Sequence, residues 1–254
     1  RTHRTEAGHS LRAPTGKKAQ RRQKTGIPVH GIMAWLRRAI MGHGICYLVG
    51  AGKNTGLDFA PGEDDFVIAV DGGLRYLEEA SIPPDLIVGD FDTLGYCPEG
   101  PNVIRLDTMK DDTDTLAALR EGIRRGYSVF HFYAGTGGRM DHTIANIQLL
   151  AFLSGEGRQG FLHGGDVVLT AITDGTLLLP PREGGYLSVF SYSDRAEGVF
   201  LRGLKYELRD ACLNSGFPLG TSNEFIGRES SISVREGTLL VVLPGDAAGL
   251  VRRA

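Results

Sequence analysis

The chain has 254 residues, of which 41% are apolar and 23% are charged, and its formal net charge is −2. These values are typical of a globular protein with one large or two modest domains, and they exclude neither enzymes nor binding proteins. The charge is uneven, because residues 1–40 contain ten Lys and Arg and one Glu, while the rest contain 18 basic and 29 acidic residues. An acidic body argues against nonspecific binding to nucleic acid. No apolar run reaches the roughly 20 residues that a membrane-spanning helix needs.

Residues 1–40 form a basic head with almost no aliphatic side chains, so we expect it to be disordered and outside the native fold. Native translation could begin at Met41 or Met33; a targeting presequence and a nucleic-acid-binding arm are the alternatives. The three cysteines, Cys46, Cys97 and Cys212, have no regular spacing. Such spacing favours reduced thiols in the cytoplasm over a disulfide framework or a zinc site.

From residue 45 to about 153, short β-branched or aromatic runs alternate with segments of helical periodicity. The predicted strands are ICYLVGA, DFVIAVDG, PDLIVGDF, NVIRLD and SVFHFYAG, and the predicted helices are LRYLEEA, TDTLAALREGIRRG and DHTIANIQLLAFL. This alternation predicts an α/β domain over residues 41–155, Rossmann-like, with a mainly parallel sheet. Ligands of such sheets bind at the carboxyl ends of the strands.

The pattern changes after SGEGRQG (154–160), which reads as a polar linker. Four alternating or apolar segments follow, separated by turn signals: VVLTAITDGTLLLP, GGYLSVFSYS, GVFLRGLKYEL and SSISVREGTLLVVLPG. They predict an all-β, sandwich-like domain over residues 160–254.

Aspartates in short glycine-rich settings are the most informative feature of the chain. Asp71 lies in AVDGG, Asp90 and Asp92 in VGDFD, Asp114 in KDDTDT and Asp141 in GGRMDH. Carboxylates gathered at strand ends repel one another unless a cation lies between them, and Mg²⁺ carrying a polyphosphate is a common occupant of such a site. The pattern therefore indicates an enzyme that transfers phosphoryl or nucleotidyl groups, although each motif alone is also compatible with an acidic turn or a helix cap.

The two aspartates of VGDFD are separated by one residue. An extended backbone would direct Asp90 and Asp92 to the same side and Phe91 to the core. The glycine after Asp71, Gly72, would let the backbone approach a ligand closely.

The other two motifs combine phosphate-binding groups with helix starts. In KDDTDT, Lys110 could pair with a phosphate, and Thr113 or Asp114 could reach the metal or a phosphate, or simply cap the next helix. In GTGGRMDH, glycines such as Gly137 expose backbone amides and Arg139 offers a bidentate fork, while Asp141 is expected to cap a helix.

In this order, the strand-DGG, GDFD, KDxTDT, GGRxDH, GLKY (203–206) and TSNEF (221–225) segments resemble the thiamine pyrophosphokinase family. The resemblance covers about residues 45–245 and implies a Rossmann-like α/β domain followed by a β-sandwich. It also implies transfer of the β,γ-pyrophosphoryl unit of ATP to the hydroxyl of thiamine, leaving AMP.

The resemblance also implies a set of site residues. Asp71, Asp90, Asp92 and Asp114 would hold Mg²⁺ and orient ATP as its co-substrate, and one of them would accept the hydroxyl proton. Gly72, Lys110, Thr113, Gly137, Arg139 and Asp141 would contact ATP and its phosphates. The thiamine site is expected at the interface of a homodimer with shared active sites, with Tyr206, Ser222 and Asn223 as its candidates.

Two alternatives stay open at this point. One is a related Mg²⁺-dependent pyrophosphokinase that acts on a pterin alcohol. The acidic motifs do not distinguish it from a thiamine enzyme, because they concern the metal and ATP and not the acceptor. The other is a non-enzymatic nucleotide-binding sensory module. The full set of carboxylates argues against the second alternative, since nucleotide binding alone needs fewer negative charges.

Overall fold

The computed structural model describes residues 44–107 and 112–253. The predicted basic head (residues 1–40) and Lys110 lie outside these ranges. The described residues belong to one compact unit.

The order of strands and helices in the described ranges agrees with the alternation predicted up to residue 153. The fifteen strands are β1 (Ile45–Val49), β2 (Phe66–Val70), β3 (Leu86–Gly89), β4 (Val103–Arg105), β5 (Val129–Tyr133), β6 (Gln159–His163), β7 (Val167–Thr173), β8 (Thr176–Leu179), β9 (Tyr186–Ser191), β10 (Arg195–Arg202), β11 (Leu208–Asn214), β12 (Gly220–Glu224), β13 (Ser230–Ser233), β14 (Thr238–Pro244) and β15 (Arg252–Arg253). The helices are α1 (Gly73–Glu79), α2 (Asp114–Arg124), α3 (Met140–Gly155) and a 3-10 helix (Gly245–Leu250).

One large sheet connects the two halves of the chain. Its ten strands lie in the order β12-β9-β14-β7-β6-β5-β1-β2-β3-β4. The six strands from β6 to β4 are mutually parallel, and β7 joins β6 in the antiparallel sense. The mixed α/β fold predicted from the sequence is thus confirmed at the level of a large sheet with few helices.

The segment 154–160 is not a linker, contrary to the prediction. It contains the end of α3 and the first residues of β6, which pairs in parallel with β5. Seven polar or glycine residues lie between the apolar runs here, and the apolar content of β6 is only Phe161 and Leu162, so the sequence pattern does not indicate this short strand. The division into domains at residues 155 and 160 stays a prediction, since the sheet continues across it.

Three apolar layers hold the fold together. Helices α2 and α3 cover one face of the parallel strands, where Leu119 and Leu150 are fully buried. Helix α1 and the β1–β2 loop cover the opposite face, through Leu77 and Phe59. A second sheet, β11-β10-β13-β8-β15, packs against the antiparallel end of the large sheet in a third core.

The three cysteines differ in burial. Cys46 is buried, Cys97 and Cys212 are exposed, and all three are free. Within the described residues, no helix is both long and apolar enough to cross a membrane.

Candidate active site

Three of the predicted aspartates converge at the carboxyl edge of the parallel strands. Asp71 follows β2, and Asp90 and Asp92 follow the neighbouring strand β3. One carboxylate oxygen from each lies within 4.8 Å of the others. At such a separation two unscreened carboxylates near a protein surface repel by on the order of 3 kcal/mol, so the arrangement favours a bound cation.

Asp71 is the most buried member of this acidic cluster (Asp71, Asp90 and Asp92). Its side chain is 7% exposed, and its Oδ1 atom is buried without a hydrogen-bond partner among the described residues. A buried, unpartnered carboxylate oxygen is costly unless a ligand satisfies it. Hard oxygen donors of this kind are the ligands that Mg²⁺ prefers, so the residues present fit the ion that the sequence predicted.

The backbone that presents the cluster is left-handed at two positions. Asp71 has φ 48° and Phe91 has φ 64°. The predicted extended conformation of GDFD is therefore wrong: β3 ends at Gly89, and the chain turns at Phe91. Asp90 and Asp92 still reach the same site, because the turn at Phe91 buries its ring and a hydrogen bond joins the Asp92 amide to Asp90 Oδ1 at 3.3 Å. Non-glycine residues with positive φ are strained and cluster at functional sites.

The glycines of AVDGG allow helix α1 to begin close to strand β1. A Cβ atom at Gly73 would overlap the carbonyl oxygen of Val49, and one at Gly72 would lie 3.0 Å from the Cβ atom of Ala51. Gly72 itself has ordinary helical angles. The two glycines after Asp71 are thus explained by close packing between the ends of β1 and β2. This packing brings the loop after β1 next to Asp71.

The GTGGRMDH motif follows β5 at the same edge. The Arg139 guanidinium donates to both carboxylate oxygens of Asp141, at 3.2 Å from Nε and 2.6 Å from Nη2. This pairing lowers the pKa of Asp141 and raises the pKa of Arg139. The negative charge of Asp92 raises the pKa of Arg139 further. The influence of Asp92 indicates that GTGGRMDH and GDFD share one electrostatic environment.

Helix α3 begins one residue after Arg139, which occupies the capping position without a side-chain cap. The predicted cap at Asp141 is therefore wrong, and Asp141 lies in the first turn, where its charge still complements the helix dipole. Farther along α3, the buried Asn146 donates from Nδ2 to the Gly135 carbonyl at 2.7 Å. Asn146 thus fixes the glycine-rich loop that carries Gly137, which is exposed.

The KDDTDT motif does cap a helix. Thr113 is the N-cap residue of α2, and its Oγ1 accepts from the Leu116 amide at 3.2 Å. Asp114 is the first residue of α2 and is not one of the three residues in the acidic cluster. The roles predicted for Thr113 and Asp114 toward phosphate and metal stay predictions.

The thiamine candidates lie in and beside β12, at the opposite edge of the large sheet. Tyr206 is 57% exposed, whereas Asn223 is 3% exposed. Ser222 has φ 56°, and its amide donates to the Ser188 hydroxyl at 3.0 Å. Tyr206 and Ser222 therefore present groups to solvent, while Asn223 is enclosed by its own chain.

Two basic residues near the acidic cluster were not among the predicted site residues. Arg75 on α1 donates from Nη2 to the carbonyls of Thr93 and Leu94, at 3.3 and 2.6 Å, and so fixes the chain after Asp92. Lys53 lies in the loop after β1, two residues from the Ala51 that contacts Gly72. The sequence signal for Lys53 was GAGK after an apolar strand, which is weak by itself.

Two family models match the chain. The catalytic domain of thiamin pyrophosphokinase matches residues 62–159, and the vitamin B1 binding domain of thiamin pyrophosphokinase matches residues 176–239. The thiamine pyrophosphokinase of Bacillus subtilis (strain 168) is 28% identical over 193 residues, which cover 70% of this chain and 87% of that relative.

Solved structures give the same result. The thiamin pyrophosphokinase of Geobacillus thermodenitrificans superimposes with a TM-score of 0.71 and 28% identity, over 81% of this chain and 99% of that one. Yeast thiamin pyrophosphokinase shares the fold, with a TM-score of 0.62 and 14% identity over 82% of this chain and 88% of that one. The two matching models, the relatives and the convergent aspartates agree, and the chain belongs to the thiamine pyrophosphokinase family.

Proposed function

We propose that the chain transfers the pyrophosphoryl unit of ATP to the hydroxyl group of thiamine, giving thiamine diphosphate and AMP. The observation that carries this proposal is the acidic cluster, whose three carboxylate oxygens lie within 4.8 Å of one another at the end of a parallel sheet. Such a cluster suits a reaction whose barrier consists mainly of positioning a polyphosphate and neutralising its charge.

Mg²⁺ would be held by Asp71, Asp90 and Asp92, with Asp114 as a further ligand from the start of α2. When bound, the ion supplies Lewis-acid stabilisation of the charge on the phosphate oxygens. The unpartnered Oδ1 atom of Asp71 supports this assignment. One of the four aspartates accepts the proton that the thiamine hydroxyl loses.

The remaining predicted residues would orient ATP. Arg139, held by Asp141, presents the rest of its guanidinium toward the phosphates, and Lys110 adds a second positive charge. Thr113 fixes the start of α2 as its cap, so that backbone amides of this helix face an anion. Gly72 and Gly137 leave backbone amides accessible to the nucleotide.

Thiamine would be bound by the residues beside β12. We assign Tyr206 to stacking on a thiamine ring and Ser222 to a polar contact, and both are exposed in the chain. Asn223 acts through Tyr206 rather than directly, because its side chain is buried against the Tyr206 backbone.

The sheet order supports a homodimer with shared active sites. Six strands lie between β12 and β2 in the large sheet. With neighbouring strands about 4.8 Å apart, the Tyr206 side of the sheet and the acidic cluster are roughly 30 Å apart within one chain. A single thiamine molecule does not span that distance, so both halves of the reaction meet only if the β12 edge of one protomer faces the acidic cluster of its partner.

We further propose the finer architecture that the family implies: a Rossmann-like α/β domain (41–155) and a β-sandwich domain (160–254). The six parallel strands and the two packed sheets support it. A cytoplasmic location is supported by the three free cysteines, and the acidic body supports the absence of nucleic-acid binding.

The test is to incubate the protein with ATP, Mg²⁺ and either thiamine or a pterin alcohol, and to measure AMP. We expect AMP with thiamine, none with the pterin alcohol, and none with thiamine when EDTA removes the metal. AMP release with the pterin alcohol alone would support the alternative pyrophosphokinase. Nucleotide binding without AMP from either acceptor would support a sensory module.

A further inference from the structure

The strand order of the large sheet reverses between β1 and β5. Strand β1 pairs with β2 on one side and with β5 on the other, although β5 follows β4 in the chain. In open parallel sheets, the crevice beside such a reversal is the usual ligand site. The loops that follow β1 (50–54) and β5 (134–138) border it.

Backbone hydrogen bonds join these two loops. The amides of Gly50, Gly52 and Lys53 donate to the carbonyls of Tyr133, Ala134 and Thr136, at 2.9, 2.7 and 2.9 Å. The Tyr76 hydroxyl of α1 donates to the Gly52 carbonyl at 2.9 Å. The amide of Lys53 and the two glycines before it are therefore held in place by hydrogen bonds.

The aliphatic stem of Lys53 is positioned as well. Gly137 has φ +74°, and a Cβ atom there would lie 2.7 Å from the Cβ and 3.5 Å from the Cδ of Lys53. The stem thus runs along Gly137, two residues before Arg139. Only glycine leaves room for the lysine at this point, which gives the GTGG sequence a role beyond exposing amides.

Among the described residues, no carboxylate pairs with the charge of Lys53. In residues 44–107 and 112–253, the ion pairs of the basic groups include Arg139 with Asp141 and Lys205 with Glu224 but none that involves Lys53. Lys53 is also exposed, while the loop that carries it contacts the residue next to Asp71. An exposed ammonium whose stem is held along Gly137, on a loop that contacts the residue after Asp71, is arranged to meet an anion.

We infer that Lys53 binds the phosphate chain of ATP, from the side of the site formed by β1 and β5. This inference rests on the proposed function. The acidic cluster approaches the polyphosphate through a metal, whereas Lys53 approaches it directly as a point charge, and Arg139 is partly committed to Asp141. The loop after β1 is thereby part of the nucleotide site.

The test is the affinity for Mg-ATP, measured by isothermal titration calorimetry at constant ionic strength. Lys53→Met keeps the stem against Gly137 and removes the charge, so we expect the Kd of Mg-ATP to rise at least about tenfold, the loss typical of one charge-assisted hydrogen bond. Lys53→Arg should recover most of the affinity. Arg124→Met, which removes one positive charge from an exposed ion pair at the C-terminal end of α2, is the matched control and should leave the Kd unchanged.

An unchanged Kd in Lys53→Met would overturn the inference, as would an equal rise in the Arg124→Met control. If Lys53→Met melts below the wild type, Lys53→Gln, which also removes the charge but keeps a polar end in solvent, is used for the same comparison. The proposed function fails separately, when wild-type protein releases no AMP with thiamine. If the wild type turns over and the Kd of Mg-ATP is unchanged in Lys53→Met, the proposed function stands and only the role assigned to Lys53 is wrong.

Discussion

The side chain of Asn223 is bonded at both ends to the backbone of Tyr206. Its Oδ1 accepts from the Tyr206 amide at 3.0 Å, and its Nδ2 donates to the Tyr206 carbonyl at 2.7 Å. The same Oδ1 accepts from the Glu224 amide at 2.9 Å. Asn223 thus fixes the segment that presents the exposed Tyr206 ring.

We therefore expect different effects from changing Asn223, which positions the Tyr206 segment, and from changing Tyr206, which is proposed to contact thiamine. Asn223→Ala removes three hydrogen bonds and leaves backbone groups unpaired, so we expect the free energy of unfolding to fall by about 2–3 kcal/mol and the KM for thiamine to rise. Tyr206→Ala should raise the KM for thiamine without lowering stability. Urea unfolding and steady-state kinetics check both variants. If Asn223→Ala is as stable as the wild type, the bonds to Tyr206 are not structural.

Removing one charge from the acidic cluster should reduce turnover and not stability. Asp71→Asn keeps the size and the positive φ of the residue but removes a carboxylate, and we expect kcat to fall about 1,000-fold. Without nucleotide, the melting temperature should hold or rise because repulsion within the cluster decreases. The measurements are AMP release and thermal unfolding.

Asp210→Asn is the matched control for this change. Asp210 also has a positive φ, of 49°, but lies on the second sheet and pairs with the Arg235 side chain at 3.3 Å. The kcat of the Asp210→Asn variant should equal that of the wild type. An active Asp71→Asn variant, or one that is inactive only because it unfolds, would contradict the metal assignment.

A buried pair of histidines should make stability depend on pH. The Nδ1 atom of His131 lies 3.0 Å from Nε2 of His163, and the His163 ring stacks on Tyr133 at 4.1 Å. Burial lowers the pKa of His131 to about 3 and that of His163 to about 4, and the nearby Asp58 carboxylate opposes both shifts in part. One neutral ring donates to the other, and this bond is lost when both rings are protonated.

Because the pKa of each histidine is lower in the folded than in the unfolded chain, the stabilising effect is complete above the unfolded value of about 6.5 and is lost as the pH falls through about 4. Below pH 6 the free energy of unfolding should fall by up to about 1.4 kcal/mol per pH unit for each ring. Urea unfolding at pH 7.5 and 5.0 measures this slope. The double variant His131→Phe, His163→Phe keeps two stacked rings and should have a shallower slope; equal slopes would refute the assignment.

The proposed dimer predicts complementation between two variants, assayed at a thiamine concentration well below the raised KM of Tyr206→Ala, where both homodimers are nearly inactive. Asp92→Asn damages the ATP half of a site, and Tyr206→Ala damages the thiamine half. In a mixed dimer one site then carries both lesions and the other carries neither, so random mixing should restore about a quarter of wild-type activity. The experiment measures AMP release before and after the variants are unfolded and refolded together, with light scattering to verify the dimer. Proven subunit exchange without recovery would show that each chain builds its site alone.

Much of the fold follows from the sequence because its signals are local. The period of the apolar residues identified β1 to β5 and the three helices, and the aspartates directly after β2 and β3 identified the edge at which the acidic cluster forms. Parallel strands must place their carboxyl ends at one edge, so the meeting of Asp71 with Asp90 and Asp92 could be predicted without coordinates.

Other features depend on partners that are distant in the sequence, and only the tertiary structure decided them. The pairing of Asn223 with Tyr206, the contact of Lys53 with Gly137 and the turn at Phe91 each arise from close approach between segments, which no local pattern encodes. Strand β6 was missed because its five residues are stabilised by β5 and β7 rather than by their own composition. The sequence thus determined which charged and polar side chains follow strands and begin helices, and the packing of the chain determined which of them come together and which hold another residue in place.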